Sequence, residues 1–188
     1  MKNAFSESQA LISILEQDHD FQQKINDAAA KMTSALQAGK KILWCGNGGS
    51  AADCQHLSAE LMAKLNYVRP ALASIALTTD TSFLTAWIND TNQSDELFSR
   101  QVEALGEEDD ILVAISTSGN SINIIEAVKK AKILGMKSII LSGNDGGKLK
   151  RHGDLELIVP SENTQRIQEM HIIIGHILCE KIENAFVK

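Results

Sequence analysis

Three features of the sequence predict a doubly wound α/β fold with a five-stranded parallel sheet. Five short apolar runs, at residues 41–45, 72–77, 111–115, 137–141 and 155–159, are bounded by turn residues, as buried strands are. Segments with apolar residues at helical spacing lie between most of them, and right-handed crossovers of that kind cover both faces of a sheet. The 188 residues suit one such domain, with no linker dividing it.

From Ser6 to about Leu36 the chain is polar, with Leu11, Leu15, Ile25, Ala29, Met32 and Leu36 at helical intervals, so one long helix or two shorter ones precede the sheet. Gly39 is a natural helix stop, and Lys41–Cys45 reads as a buried strand. A glycine-rich turn leads into a helix from Ser50 to about Leu65, then a strand at Leu72–Leu77. Helical segments follow at Thr81–Ile88 and Asp95–Leu105. The remainder reads as strand Ile111–Ile115, helix Ser121–Leu134, strands Lys137–Leu141 and Leu155–Val159, and a final helix Thr164–Phe186. Pro70 and Pro160 fall just outside these elements. The N-terminal region, about 1–37, stands outside the repeat of the 40–188 core, and its apolar stripe needs a partner, either the sheet's own helices or another subunit.

Composition removes several classes of function. Apolar residues at 44% and charged residues at 22% match ordinary globular proteins and argue against disorder or fibrous repeats. Eighteen basic against 24 acidic residues leave a formal charge of -6 with no basic cluster, so nucleic acid is not the expected partner. The apolar runs are far shorter than a membrane span, and the polar start carries no apolar secretion segment, so a cytoplasmic protein is expected. Cys45, Cys54 and Cys179 show no C-x-x-C spacing and read as buried, reduced thiols.

In an open parallel sheet the ligand sits at the carboxyl ends of the strands, so the loops there carry the chemistry. After the first strand comes Gly46-Asn47-Gly48-Gly49-Ser50, where small residues admit a phosphate or polyhydroxylated ligand to the backbone. It is neither a dinucleotide fingerprint nor a Walker loop, since Ala52 takes the place of a third glycine and no Lys follows. After the third strand, Ser116, Thr117, Ser118 and Ser121 place four hydroxyls at a helix start, suited to wrapping one phosphate; ordinary helix capping needs only one. His56 and Glu60 lie four apart on a helix, about 40° and roughly 6 Å from each other, and can converge on one ion. Gln168 and His176 lie two turns apart on one face of the last helix, about 12 Å along its axis. Imidazole and carboxylate serve as ligands of a divalent ion and as acid and base; the other reading is that of satisfied polar groups in a core. Glu107–Asp110 reads as a solvated turn, Gly143–Gly147 as a structural loop, and His19, His152 and His171 have no partner legible in the sequence.

The segments Cys45-Gly46-Asn47-Gly48-Gly49-Ser50, Ala51-Ala52-Asp53-Cys54-Gln55-His56, Ala114-Ile115-Ser116-Thr117-Ser118-Gly119-Asn120-Ser121 and Arg166-Ile167-Gln168-Glu169-Met170-His171 resemble those of the phosphoheptose isomerases, built on the sugar-isomerase (SIS) domain. The resemblance runs from about residue 8 to residue 186. It implies a single SIS domain over 1–188 with flavodoxin-like strand order and a cytoplasmic homotetramer assembled partly through the N-terminal region. It also implies conversion of sedoheptulose 7-phosphate to D-glycero-D-manno-heptose 7-phosphate through an enediol(ate), the first step towards nucleotide-activated heptose for lipopolysaccharide core. Carried over, the metal ligands are His56, Glu60, Gln168 and His176, holding one zinc per subunit, with Glu60 and His176 as the acid–base pair. Substrate contacts fall on Asn47, Gly48, Gly49, Glu60, Asn89, Asp90, Ser116, Thr117, Ser118, Ser121 and Gln168.

The chain departs from the family where many members have Gly-Arg-aromatic and it has Ala63-Lys64-Leu65, and where Ile88 and Thr91-Asn92 flank Asn89-Asp90; some members carry an acid at the place of Gln165. Lysine cannot reproduce a bidentate guanidinium contact. The competing readings are a non-catalytic SIS-domain regulator of the replication initiator, which lacks counterparts of Glu60 and His176, and a sugar-phosphate sensor.

Overall fold

The computed structural model describes residues 3–187. Two helices come first, α1 (Ala4–Gln17) and α2 (His19–Gln37), and Asp18 decides between one helix and two: its carboxylate accepts the Phe21 amide at 2.9 Å and starts α2 afresh. Then come β1 (Ile42–Gly46), α3 (Gly49–Met62), β2 (Ser74–Ala76), α4 (Thr81–Thr91), a 3₁₀ turn at Ser94–Glu96, α5 (Ser99–Leu105), β3 (Ile111–Ser116), α6 (Ile122–Ile133), β4 (Lys137–Gly143), a 3₁₀ turn at Gly147–Leu149, β5 (Leu155–Val159) and α7 (Thr164–Phe186). All strand pairs are parallel and the order is β2-β1-β3-β4-β5. The expected fold class and order are both found.

Period-two alternation sorts the strand side chains between two cores. Ile42 and Trp44 of β1, Val113 and Ile115 of β3 and Leu141 of β4 join the residues of α1, α2, α3 and α7 on one face. Leu43, Cys45, Leu112, Ala114 and Ile140 join α5 and α6 on the other. Because β1 and β3 are buried on both faces, each reads as a continuous apolar run, whereas edge strand β5 alternates. The three cysteines are buried and unpaired, as expected.

The switch point lies between β1 and β3. From there α3 leaves β1 towards the α7 face and α6 leaves β3 towards the other, so the two loops part and open a crevice at the strand ends.

Three local expectations need correction. Helix α3 stops at Met62, short of Leu65, where the chain turns into a loop held by distant side chains. The acidic turn before β3 is not wholly solvated: Asp110 is buried, accepting the Lys41 and Glu107 amides at 2.9 and 2.8 Å and lying 2.7 Å from the Lys41 ammonium. His171 is also buried and does have a partner, the Ser142 carbonyl at 3.0 Å. Among the described residues no helix is long and apolar enough to cross a membrane.

Candidate active site at the strand carboxyl ends

Most of the expected residues lie in three places: the β1–α3 loop, the β3–α6 loop, and the contact between α3 and α7. On α3, Gly49, Asp53, His56 and Glu60 follow one another at three- and four-residue steps and so share a face. Gln168 and His176 of α7 oppose that face. At its first turn the approach is too close for a side chain: a Cβ on Gly49 would lie 2.2 Å from Gln168 Nε2. Two turns on, His56 Nε2 and His176 Nε2 stand 2.8 Å apart with their rings nearly perpendicular, and Glu60 Oε1 lies 3.5 Å from the same His56 nitrogen. A hydrogen bond between two Nε2 atoms needs one protonated and one bare nitrogen. His56 is about half exposed and Glu60 mostly covered.

The donor set of two imidazoles, a carboxylate and an amide suits zinc chemically. As the side chains stand, however, no three His, Cys, Asp or Glu groups among the described residues are disposed to hold a metal ion. The two imidazole nitrogens, 2.8 Å apart, also stand closer than ligands of a tetrahedral zinc, which at about 2.0–2.1 Å from the ion sit about 3.3 Å from each other. The imidazoles must therefore part by about half an ångström to share an ion.

In the second loop Ser116 is buried and its Oγ donates to Ser121 Oγ at 3.1 Å, while Ser118 Oγ accepts the Asn120 amide at 3.1 Å. Ser121 occupies the N-cap of α6, yet its side chain makes no capping bond, so capping does not account for the hydroxyls. The loop is braced from outside by the Gly143–Gly147 segment. Gly119 has φ +63°, and a Cβ there would lie 2.0 Å from the Gly146 carbonyl oxygen; the Lys148 and Leu149 amides donate to Asn120 Oδ1 and the Gly119 carbonyl.

Asn89 and Asp90 behave differently. They are exposed near the end of α4, where the Asn89 amide donates to Asp90 Oδ1 at 2.8 Å, and α4 has no buried residue at all. On that helix Phe83 stacks against Trp87, and Arg100 of α5 lies 5.2 Å above the Trp87 ring.

Two residues of the site were not singled out in the sequence. Asn123 exchanges two 2.9 Å amide bonds with Asn47 and so clasps the glycine-rich loop to α6; nothing in the sequence marks it. Asp53 does carry a signal, its three-residue spacing from His56. Burial pushes its carboxyl above the ordinary aspartate range, against the pull of His56 and His176, and its Oδ2 is buried without a hydrogen-bond partner.

Comparison with known proteins agrees with this layout. The SIS domain model matches residues 5–143. A phosphoheptose isomerase of Helicobacter pylori strain P12 is 49% identical over 185 residues, covering 98% of this chain and 94% of the relative. One from Clostridium acetobutylicum is also 49% identical, covering 97% and 95%. Among solved structures, the phosphoheptose isomerase of Neisseria gonorrhoeae superposes with a TM-score of 0.88 at 47% identity, covering 96% of this chain and 95% of that one. That of Francisella tularensis gives 0.91 at 42% identity, covering 96% and 94%.

Proposed function

Because the chain belongs to the phosphoheptose isomerases, a family built on the SIS domain, we propose that it converts sedoheptulose 7-phosphate into D-glycero-D-manno-heptose 7-phosphate, the entry step of heptose biosynthesis. The observation that carries the chemistry is the 2.8 Å His56–His176 contact with Glu60 beside it, on the face of α3, the helix that begins at the glycine-rich loop. Turning a ketose into an aldose requires a proton to leave C1 and one to arrive at C2, with the two oxygens exchanging a proton in between. One base and one acid suffice.

In this reading Glu60, mostly covered and so partly shielded from water, takes and returns the carbon-bound proton. His176 passes a proton between the sugar oxygens. The Ser116, Thr117, Ser118 and Ser121 hydroxyls and the first amides of α6 receive the phosphate. Asn47, Gly48, Gly49 and Gln168 face the sugar, and Asn89 and Asp90 approach it from α4. Zinc would be held by His56, Glu60, Gln168 and His176, where it would supply charge to stabilise an enediolate oxygen. The protein acts as a cytoplasmic homotetramer, with the exposed Ile12 and Ile14 of α1 and the unburied α4 as assembly surfaces, and its product feeds lipopolysaccharide core synthesis. The regulator and sensor readings are not favoured, since the relatives are isomerases.

The test is proton NMR of the protein with sedoheptulose 7-phosphate in D₂O, after metal removal and after zinc addition. Aldose formation with deuterium entering at carbon, lost in Glu60→Gln, is expected, with a rise on adding zinc. Binding of the sugar phosphate with neither product nor exchange would overturn the isomerase. Turnover indifferent to zinc would overturn the metal's part.

A further inference from the structure

Beyond the last turn of α3 lies a buried ion pair that the chemistry above does not use. The side chains of Arg69 and Glu183 are each only 1% exposed, with Arg69 Nε 3.4 Å from Glu183 Oε1. The guanidinium donates from Nη2 to the Glu60 carbonyl at 2.7 Å and from Nη1 to the Leu61 carbonyl at 2.6 Å. These are among the carbonyls that a helix end leaves without partners. Glu183 accepts the amides of Leu65, Asn66 and Tyr67 at 2.8, 2.6 and 3.2 Å. Burial alone would raise its carboxyl, but the three amides and Arg69 outweigh this and hold it below the ordinary glutamate range.

The placement gives this pair a consequence beyond stability. Arg69 grips the backbone of Glu60 itself, and Glu183 lies seven residues, two helical turns, beyond His176 on the same face of α7. The pair therefore ties the helix that bears His56 and Glu60 to the helix that bears His176, two turns past the imidazole contact. A lysine in place of Arg69 offers one nitrogen where the guanidinium offers three set apart in a plane, so it does not reproduce the separate contacts with the two carbonyls and Glu183.

We propose that Arg69 and Glu183 are positioning residues of the isomerase, setting the depth and rotation of the end of α3 so that Glu60 and His56 meet His176 in reacting register. The proposal rests on the isomerase reading of the site. It predicts an effect on the chemical step in excess of any effect on folding, because displacing a reacting group by about 1 Å can cost on the order of 100-fold.

The test compares Arg69→Lys with Lys41→Met, which breaks the largely buried Lys41–Asp110 ion pair, whose bonds go to neither α3 nor α7. Melting temperature, kcat and KM are measured for each. Long-range ¹H–¹⁵N spectra of the His56 and His176 imidazoles are recorded without substrate. In Arg69→Lys, kcat is expected to fall at least about tenfold with KM within about threefold, and the imidazole signals to shift. Lys41→Met should melt lower with kcat within about twofold and the signals in place. Equal kcat in the two variants at equal melting loss, or unmoved imidazole signals in Arg69→Lys, would overturn the proposal. If Arg69→Lys yields no folded protein, Glu183→Gln is judged by the same readouts. A wild-type protein without turnover sinks the isomerase reading instead, while the imidazole spectra still decide whether the pair positions the two helices.

Discussion

Acid should unfold this protein partly through one residue far from its surface. His171 is fully buried in α7, and its ring meets the Ser142 carbonyl at 3.0 Å. A carbonyl only accepts, so Nε2 carries the proton, and Nδ1, which is buried without a partner, is bare. Charging the ring would place a proton on Nδ1 with nothing to receive it. Burial accordingly pulls the imidazole down to about 4, the Ser142 bond opposing, from an unfolded value of 6.5. Between these values the unfolded chain binds a proton that the folded one refuses, so the contribution is intact above pH 6.5 and is lost as the pH falls towards 4.

Integrating the linkage from pH 7.5 gives a loss of about 2 kcal/mol by pH 5 from this residue alone. The assay is urea unfolding at fixed protomer concentration between pH 7.5 and 5, for wild type and for His171→Gln, whose amide can still donate to Ser142. Subtracting the variant removes every other titrating group common to both. The wild type should lose about 2 kcal/mol more than the variant over that range. Parallel curves would show that His171 does not stay neutral in the folded state and would refute the reasoning.

Other perturbations follow from equally local geometry. In Gly49→Ala the new methyl meets Gln168 Nε2, the end of a flexible side chain, so kcat/KM should fall about tenfold or more while the melting temperature barely moves. Gly119→Ala combines φ +63° with a backbone clash against Gly146; calorimetry should show a loss of more than about 2 kcal/mol, and phosphate-dependent binding should weaken with it. Asp110→Ala removes the acceptor of two amides and the counter-charge of Lys41, and denaturant titration should show a cost of about 3 kcal/mol or more with kcat unchanged in the protein that remains folded.

The strands, the glycine-rich and hydroxyl loops and the pairing of His56 with Glu60 were legible because each is written in neighbouring residues. Strands β1 and β3 announce themselves because both faces are buried, and a helix places residues four apart on one face whatever surrounds it. What escaped were features whose partners lie far along the chain. Helix α3 was expected to reach Leu65, and its periodicity gives no reason to stop at Met62; the stop comes from Glu183, more than 110 residues away, capturing the next amides. Asp110 looked like one more charge in an acidic turn because its burial depends on Lys41, which arrives from the neighbouring strand. Asn123 has no mark of its own and gains its place only when α6 brings it against Asn47.

The sequence by itself determined the class of fold, the glycine-rich and hydroxyl loops at the strand ends and the family, since periodicity, turn chemistry and motif spacing are local quantities. Only the tertiary structure decided which nitrogen faces which, how far apart the two imidazoles stand, and what holds the helices bearing them. Those are set by packing between α3 and α7, and displacements of half an ångström have no counterpart in the order of residues along the chain.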